Sequence, residues 1–128
     1  LAHISTLADY PSAKECREDI VKNQAAALAA GIIKPADFTG VSKTETQIPV
    51  RDGTTIRAVV YKPESGEPGP LFIYYHGGSW VVGGPEMGEN WFSVLTRQLR
   101  FTVVAVDYRM APEYVFPTAA HDSIDAGK

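Results

Sequence analysis

The sequence predicts an α/β domain built on a mixed, mostly parallel sheet, and three observations carry that expectation. Two short apolar runs, residues 71–75 and 101–106, show no polar alternation, which is the pattern of strands covered on both faces. Between them Trp91, Leu95 and Leu99 recur at helical spacing, so a strand, a helix and a second strand follow one another. That order implies a right-handed crossover and a parallel pair. Upstream, residues 44–50 and 54–61 read as two strands around Arg51-Asp52-Gly53, where Asp-Gly supplies a tight hairpin turn and an antiparallel start.

The remaining elements follow in order. Pro11-Ser12 with Glu15 is a capping-box pattern that opens a helix through the alanine-rich residues 25–30, and Gly31 closes it. Residues 35–40 read as a linker, which divides the chain into an N-terminal helical segment, 1–40, and a core, 41–128. Residues 63–70, with Gly66 and Gly69, form a surface loop feeding the first apolar run. Arg97 and Arg100 stand near the end of the middle helix, where cations suit the helix dipole. Pro117 opens a last helix at a favoured first-turn position.

Composition narrows the function classes. With 128 residues, 45% hydrophobic and 21% charged, the chain has the make-up of a globular domain. A net charge of -3, with Lys and Arg scattered, argues against a nucleic-acid partner. One cysteine, Cys16, excludes an internal disulfide and reads as a packed helix residue, which fits a reducing compartment. No apolar run approaches the ~18 residues of a membrane span, and no signal-peptide order is present, so a cytoplasmic protein is expected. Gly83, Gly84 and Gly88 lack the Lys-Ser/Thr of a phosphate loop and the spacing of a dinucleotide site. Neither a cofactor nor a metal is expected.

Chemistry concentrates in two motifs. His76-Gly77-Gly78-Ser79-Trp80 leaves the end of an apolar strand, and its glycines let the backbone turn with main-chain N–H groups unobstructed. Such a loop suits the negative charge that develops on an ester carbonyl. The second motif, Asp107-Tyr108-Arg109-Met110-Ala111-Pro112-Glu113, continues to Phe116-Pro117 directly after the second apolar run. Three triad letters also stand in a row at His121-Asp122-Ser123. Consecutive helix residues point in different directions and cannot form a relay, so these read as a surface helix.

Together the two motifs, over residues 41–126, resemble the hormone-sensitive-lipase-like family of α/β-hydrolases, in which an HGGG loop is followed about thirty residues later by a DYRLAPE-like segment and then F-P. The resemblance implies the N-terminal part of an α/β-hydrolase fold and a serine carboxylic-ester hydrolase acting on a small-molecule ester. It also implies roles. The backbone N–H groups of Gly78 and Ser79 are oxyanion-hole donors, Gly77 shapes the turn, and Trp80 walls the substrate pocket. His76 supports the loop, Asp107, Arg109 and Glu113 brace the site as one network, and the N-terminal helix contributes to a lid.

Two departures set further expectations. Ser79 replaces the family's usual third glycine, as in the related plant gibberellin receptors, which keep the fold without hydrolysis; a silent small-ligand receptor is therefore the alternative reading. The sequence also ends at Lys128, before the family's G-x-S-x-G nucleophile, its acid and its histidine. These residues alone are expected to be inactive, and an inactive truncated fragment with no function of its own is a further alternative. In the family's sheet, strand 71–75 lies between strand 101–106 and the nucleophile-bearing strand. Its far edge is thus expected to need cover, from a C-terminal portion or from a second copy.

Overall fold

A computed structural model describes residues 7–128. The chain divides into two compact units, Leu1–Pro35 and Ala36–Lys128. In the first, a short 3-10 turn, Leu7–Asp9, precedes helix α1, Ala13–Ala29. Ser12 caps it: its hydroxyl accepts the Glu15 N–H at 3.3 Å and donates to the Glu15 carboxylate at 3.0 Å. At the far end Gly31 takes φ +69 and donates to the Leu28 carbonyl at 3.0 Å, while Ile32 N–H reaches the Ala27 carbonyl at 2.9 Å. This pair of bonds satisfies the last carbonyls of the helix. Cys16 is buried and free.

The boundary between units falls five residues before the one read from the sequence. Residues 36–40 belong to the core because Phe38 stacks on Tyr61 at 5.8 Å and Asp37 pairs with Arg97. A Pro-Gly-rich composition suggested a linker, but an aromatic ring with a core partner decides otherwise.

The second unit holds a four-stranded sheet in the order β1-β2-β4-β3. Strands β1 (Val41–Pro49) and β2 (Thr55–Pro63) pair antiparallel around the predicted turn. Gly53, at φ +85, donates to the Val50 carbonyl at 3.0 Å, and the Asp52 carboxylate accepts the N–H and hydroxyl of Thr54. Strand β4 (Thr102–Val106) runs antiparallel to β2 and parallel to β3 (Leu71–Tyr75), with Phe72 opposite Val103. The parallel pair expected from the strand, helix, strand order is present, with helix α2 (Glu89–Leu99) between its members.

Helices cover both faces of the sheet, which is why β4 lacks alternation. On one face Val59, Tyr61, Val103 and Ala105 pack with Phe92 of α2. On the other, Ile56, Val106 and Tyr108 pack with Ala119 of helix α3, Thr118–Ala126. The stripe expected on α2 is rotated by one residue. Phe92 and Thr96 are fully buried and Leu95 packs partly buried beside them as expected, whereas Trp91 is 41% and Leu99 58% exposed. The cause is an aromatic cluster: Phe92 lies 5.3 Å from Tyr61 and 4.8 Å from Tyr74, and Trp91 leans edge-on against Phe72 and Tyr74.

The two sheet edges differ in character. Edge strand β1 presents Lys43, Thr44, Glu45 and Thr46 to solvent, a polar edge that resists pairing with another chain. Edge strand β3 is Leu-Phe-Ile-Tyr-Tyr, with Leu71 and Tyr75 exposed. Among the described residues, no strand pairs with its outer side.

Candidate active site: a glycine loop and the segment that holds it

The apolar strand β3 delivers its chain directly into residues 76–80. Gly78 takes φ +120, a region open to glycine alone, and a Cβ built there would lie 2.0 Å from the Val82 carbonyl oxygen. Ser79 and Trp80 follow at φ 53 and 60. Left-handed backbone costs a non-glycine residue roughly 1–2 kcal/mol, so two in succession mark a conformation imposed by surrounding structure. Ser79 thus adopts the shape that a glycine would take freely. The N–H groups of Gly77, Gly78 and Ser79 find no protein acceptor among the described residues, while those of Val81 and Val82 both reach the Gly78 carbonyl at 3.0 Å.

The segment after β4 holds both ends of this loop. Tyr108 donates its hydroxyl to the His76 carbonyl at 2.6 Å and stacks its ring on the His76 imidazole, with centroids 4.2 Å apart and an 8° interplanar angle. Burial, with Tyr74 nearby, raises the Tyr108 pKa and keeps that hydroxyl a donor. Three residues on, the Ala111 N–H donates to the Trp80 carbonyl at 2.9 Å. His76 itself is buried, and its Nδ1 lies 2.8 Å from the Gly77 carbonyl, so Nδ1 carries the proton that this acceptor takes. Its Nε2 is buried without a hydrogen-bond partner among the described residues.

Asp107 and Arg109 of the second motif belong to different ion-pair clusters. Asp107, at the carboxyl end of β4, faces Arg57 at 3.2 Å, and Arg57 also binds Glu45 at 2.7 Å and Glu86. Glu86 belongs to the 3-10 turn Pro85–Gly88 just after the glycine loop. These carboxylates, Glu45 first and then Glu86, raise the Arg57 pKa. Arg109 belongs to a separate cluster. Its Nε and Nη2 bind the Asp122 carboxylate at 2.9 and 2.7 Å, and its backbone N–H binds the same group at 3.0 Å. Its Nη1 pairs with Asp52 in the hairpin turn at 2.7 Å. Hydrogen bonds from Thr54, then Arg109, lower the Asp52 pKa to about 2. Glu113 is exposed.

Asp122 overturns the expectation of a surface helix at residues 121–123, because it is fully buried. A buried carboxylate needs hydrogen-bonded partners, and the bidentate guanidinium supplies them. Only tertiary packing could reveal this: Arg109 and Asp122 share no helix face, and nothing in their thirteen-residue separation marks a pair. Arg57, Glu86 and Tyr108 were missed for the same reason.

Beside the loop lies an apolar cavity of about 340 Å³, lined by Ser79, Trp80, Ala111, Tyr114, Phe116, Ala119 and Ala120. Aromatic rings form its walls, and alanines from the start of α3 leave the space between them. The Arg109 guanidinium stacks over the Tyr114 ring at 5.2 Å, tying this wall to the ion-pair cluster. Among the described residues, no helix is long and apolar enough to cross a membrane.

Comparison with known proteins agrees with this geometry. A family profile described as the α/β-hydrolase fold matches residues 72–128. An AB hydrolase superfamily protein of Schizosaccharomyces pombe is 40% identical over 117 residues, covering 90% of this chain and 32% of the relative. An ethyl acetate hydrolase of Pseudomonas putida is 33% identical over 106 residues, covering 80% of this chain and 32% of its own length. The solved structure of EstE1, a thermostable carboxylesterase cloned from a metagenomic library, superposes with a TM-score of 0.72 at 38% identity, over 95% of this chain and 39% of EstE1. The chain therefore spans about a third of the length of the curated relatives it matches. By sequence and by the arrangement of its sheet and helices, the chain has the α/β-hydrolase fold.

Proposed function

We propose that this chain is the oxyanion-holding part of a serine carboxylic-ester hydrolase of the hormone-sensitive-lipase-like group, with Gly78 and Ser79 as backbone donors. One observation carries the reading: among the described residues, the N–H groups of residues 77–79 stand without protein acceptors in a strained loop whose two ends are tied down. Donors already held in place need no reorganisation when charge develops, which is how such a loop lowers a barrier. In the whole protein a serine attacks the ester carbonyl, a histidine moves the proton, and an acid orients the histidine. Gly77 supplies the turn and His76 the support. Trp80 walls the pocket for an acyl or alcohol group, a role supported by its place on the cavity. Helix α1 contributes to a lid, and the protein works in the cytoplasm, in keeping with its one free cysteine.

The test compares two lengths of the protein. Residues 1–128 alone are expected to hydrolyse short p-nitrophenyl esters no faster than background, while the whole protein turns them over. Steady turnover by the 128-residue chain, abolished by a serine-directed phosphonate, would refute the division of labour proposed here. Ser79 keeps one second reading open, a receptor that binds a small apolar acid or ester without turnover. Its mark would be saturable ligand binding by a whole protein that leaves every ester intact.

The apolar outer edge of β3 belongs to the same proposal. Further chain, or a second copy, covers it in the working protein, because unpaired N–H and C=O groups beside Phe, Ile and Tyr form a template for pairing. Light scattering on the purified 128-residue chain is expected to show association. A well-folded monomer of 13.9 kDa would count against this.

A further inference from the structure

The segment that holds the glycine loop is itself tied to helix α3 by a largely buried ion pair. Tyr108 takes hold of the loop at the His76 carbonyl and Ala111 at the Trp80 carbonyl, and between these two contacts stands Arg109. Among the described residues, no hydrogen bond or ion pair joins Arg109 to the loop. Its backbone N–H, Nε and Nη2 all donate to the one carboxylate of Asp122, on the first turns of α3. The side chain of Asp122 is 1% exposed and that of Arg109 17% exposed, so water competes little for these bonds. A bidentate guanidinium–carboxylate pair fixes orientation as well as distance. The added backbone bond fixes the main chain of residue 109 itself.

We propose that Asp122 is a positioning residue for the oxyanion hole: acting through Arg109, it sets the path of residues 108–111 and so holds Ser79 and Trp80 in their left-handed conformation. The inference rests on the ester-hydrolase reading above. Without the carboxylate, residues 108–111 lose their tie to α3, and the Trp80 carbonyl loses a fixed donor. The strained backbone then relaxes, and the free N–H groups of residues 77–79 leave the positions in which charge would be met. A shift of about 1 Å at a reacting centre costs on the order of a hundredfold in rate. Ground-state binding rests on the apolar cavity, and Tyr114, Phe116, Ala119 and Ala120 of its lining lie outside the segments that move, so binding is expected to suffer less than the chemical step.

The experiment uses the whole ester hydrolase with Asp122→Asn, Arg109→Lys and Gly78→Ala, assayed well below each variant's unfolding temperature. Asp122→Asn is expected to lower kcat by on the order of tenfold to a hundredfold with KM changed less than about threefold. Arg109→Lys keeps the backbone N–H bond to Asp122 and the positive charge but not the fork, so its kcat should fall less than that of Asp122→Asn. This variant also serves if Asp122→Asn does not fold, and any fall in its kcat must likewise come at near-constant KM. Either variant folding with unchanged kcat, or losing activity through KM alone, overturns the positioning role. Gly78→Ala separates the two levels of the argument. Loss of kcat there with full activity in Asp122→Asn rejects the anchor alone, whereas full activity in Gly78→Ala rejects the oxyanion reading beneath it.

Discussion

Replacing Gly78 with alanine in the whole protein is expected to lower kcat by a factor on the order of 10²–10³, the loss that follows removal of one oxyanion donor. The reason is steric and local. The new Cβ would sit 2.0 Å from the Val82 carbonyl oxygen and 2.7 Å from its carbon, a separation that no real Cβ tolerates. It would also have to take φ +120, which an L-residue with a side chain adopts only under strain. The backbone therefore moves, and the N–H groups of residues 78 and 79 move with it. Because the loop lies outside both core clusters, the fold should survive, so kcat falls while the far-UV circular dichroism and KM change little. An alanine variant with parental kcat would remove Gly78 from the donor set.

The largest effect on stability is expected from Phe92→Ala, a loss of about 3–5 kcal/mol. Phe92 is fully buried and meets Tyr61 and Tyr74 at 5.3 and 4.8 Å, with Trp91 4.5 Å away. Removing its ring empties the centre of the contact between α2 and the sheet, and the surrounding rings cannot collapse fully into the space. Urea unfolding of the whole protein measures this through the shift in midpoint at constant slope. A loss below about 1 kcal/mol would mean that α2 does not dock through Phe92. The matched change Leu99→Ala, at an exposed position, should cost far less, although sequence spacing alone ranks Leu99 with the core.

That contrast shows where local pattern ends. Gly31 and Asp52-Gly53 work where they were expected because a φ above zero is a property of one residue and its neighbours. The two apolar runs were legible as a parallel pair because a covered strand looks apolar whatever its partner, and a helix between two such strands carries the chain back to the same end of the sheet. The phase of α2 was different. Trp91 and Phe92 are adjacent and both aromatic, and periodicity cannot tell which of them fits between Tyr61 and Tyr74.

The class of fold, the order of strands and helices and the place of the glycine loop were legible in the residues alone, because each is written in spacing or in residues whose backbone preferences act locally. Tertiary structure alone decided what holds that loop. Asp122 looked like solvent-facing helix, yet it is buried against Arg109; Asp107 and Arg109, two residues apart, serve different ion-pair clusters. Both residues lie beyond Val106, the last residue of β4, where strand alternation no longer fixes the side each one faces, so which charge each meets depends on elements packed there from elsewhere in the chain: β2 and the Glu86 turn for Asp107, α3 and the hairpin for Arg109. Long-range pairs of this kind follow from the packing of whole elements, and no local pattern encodes them.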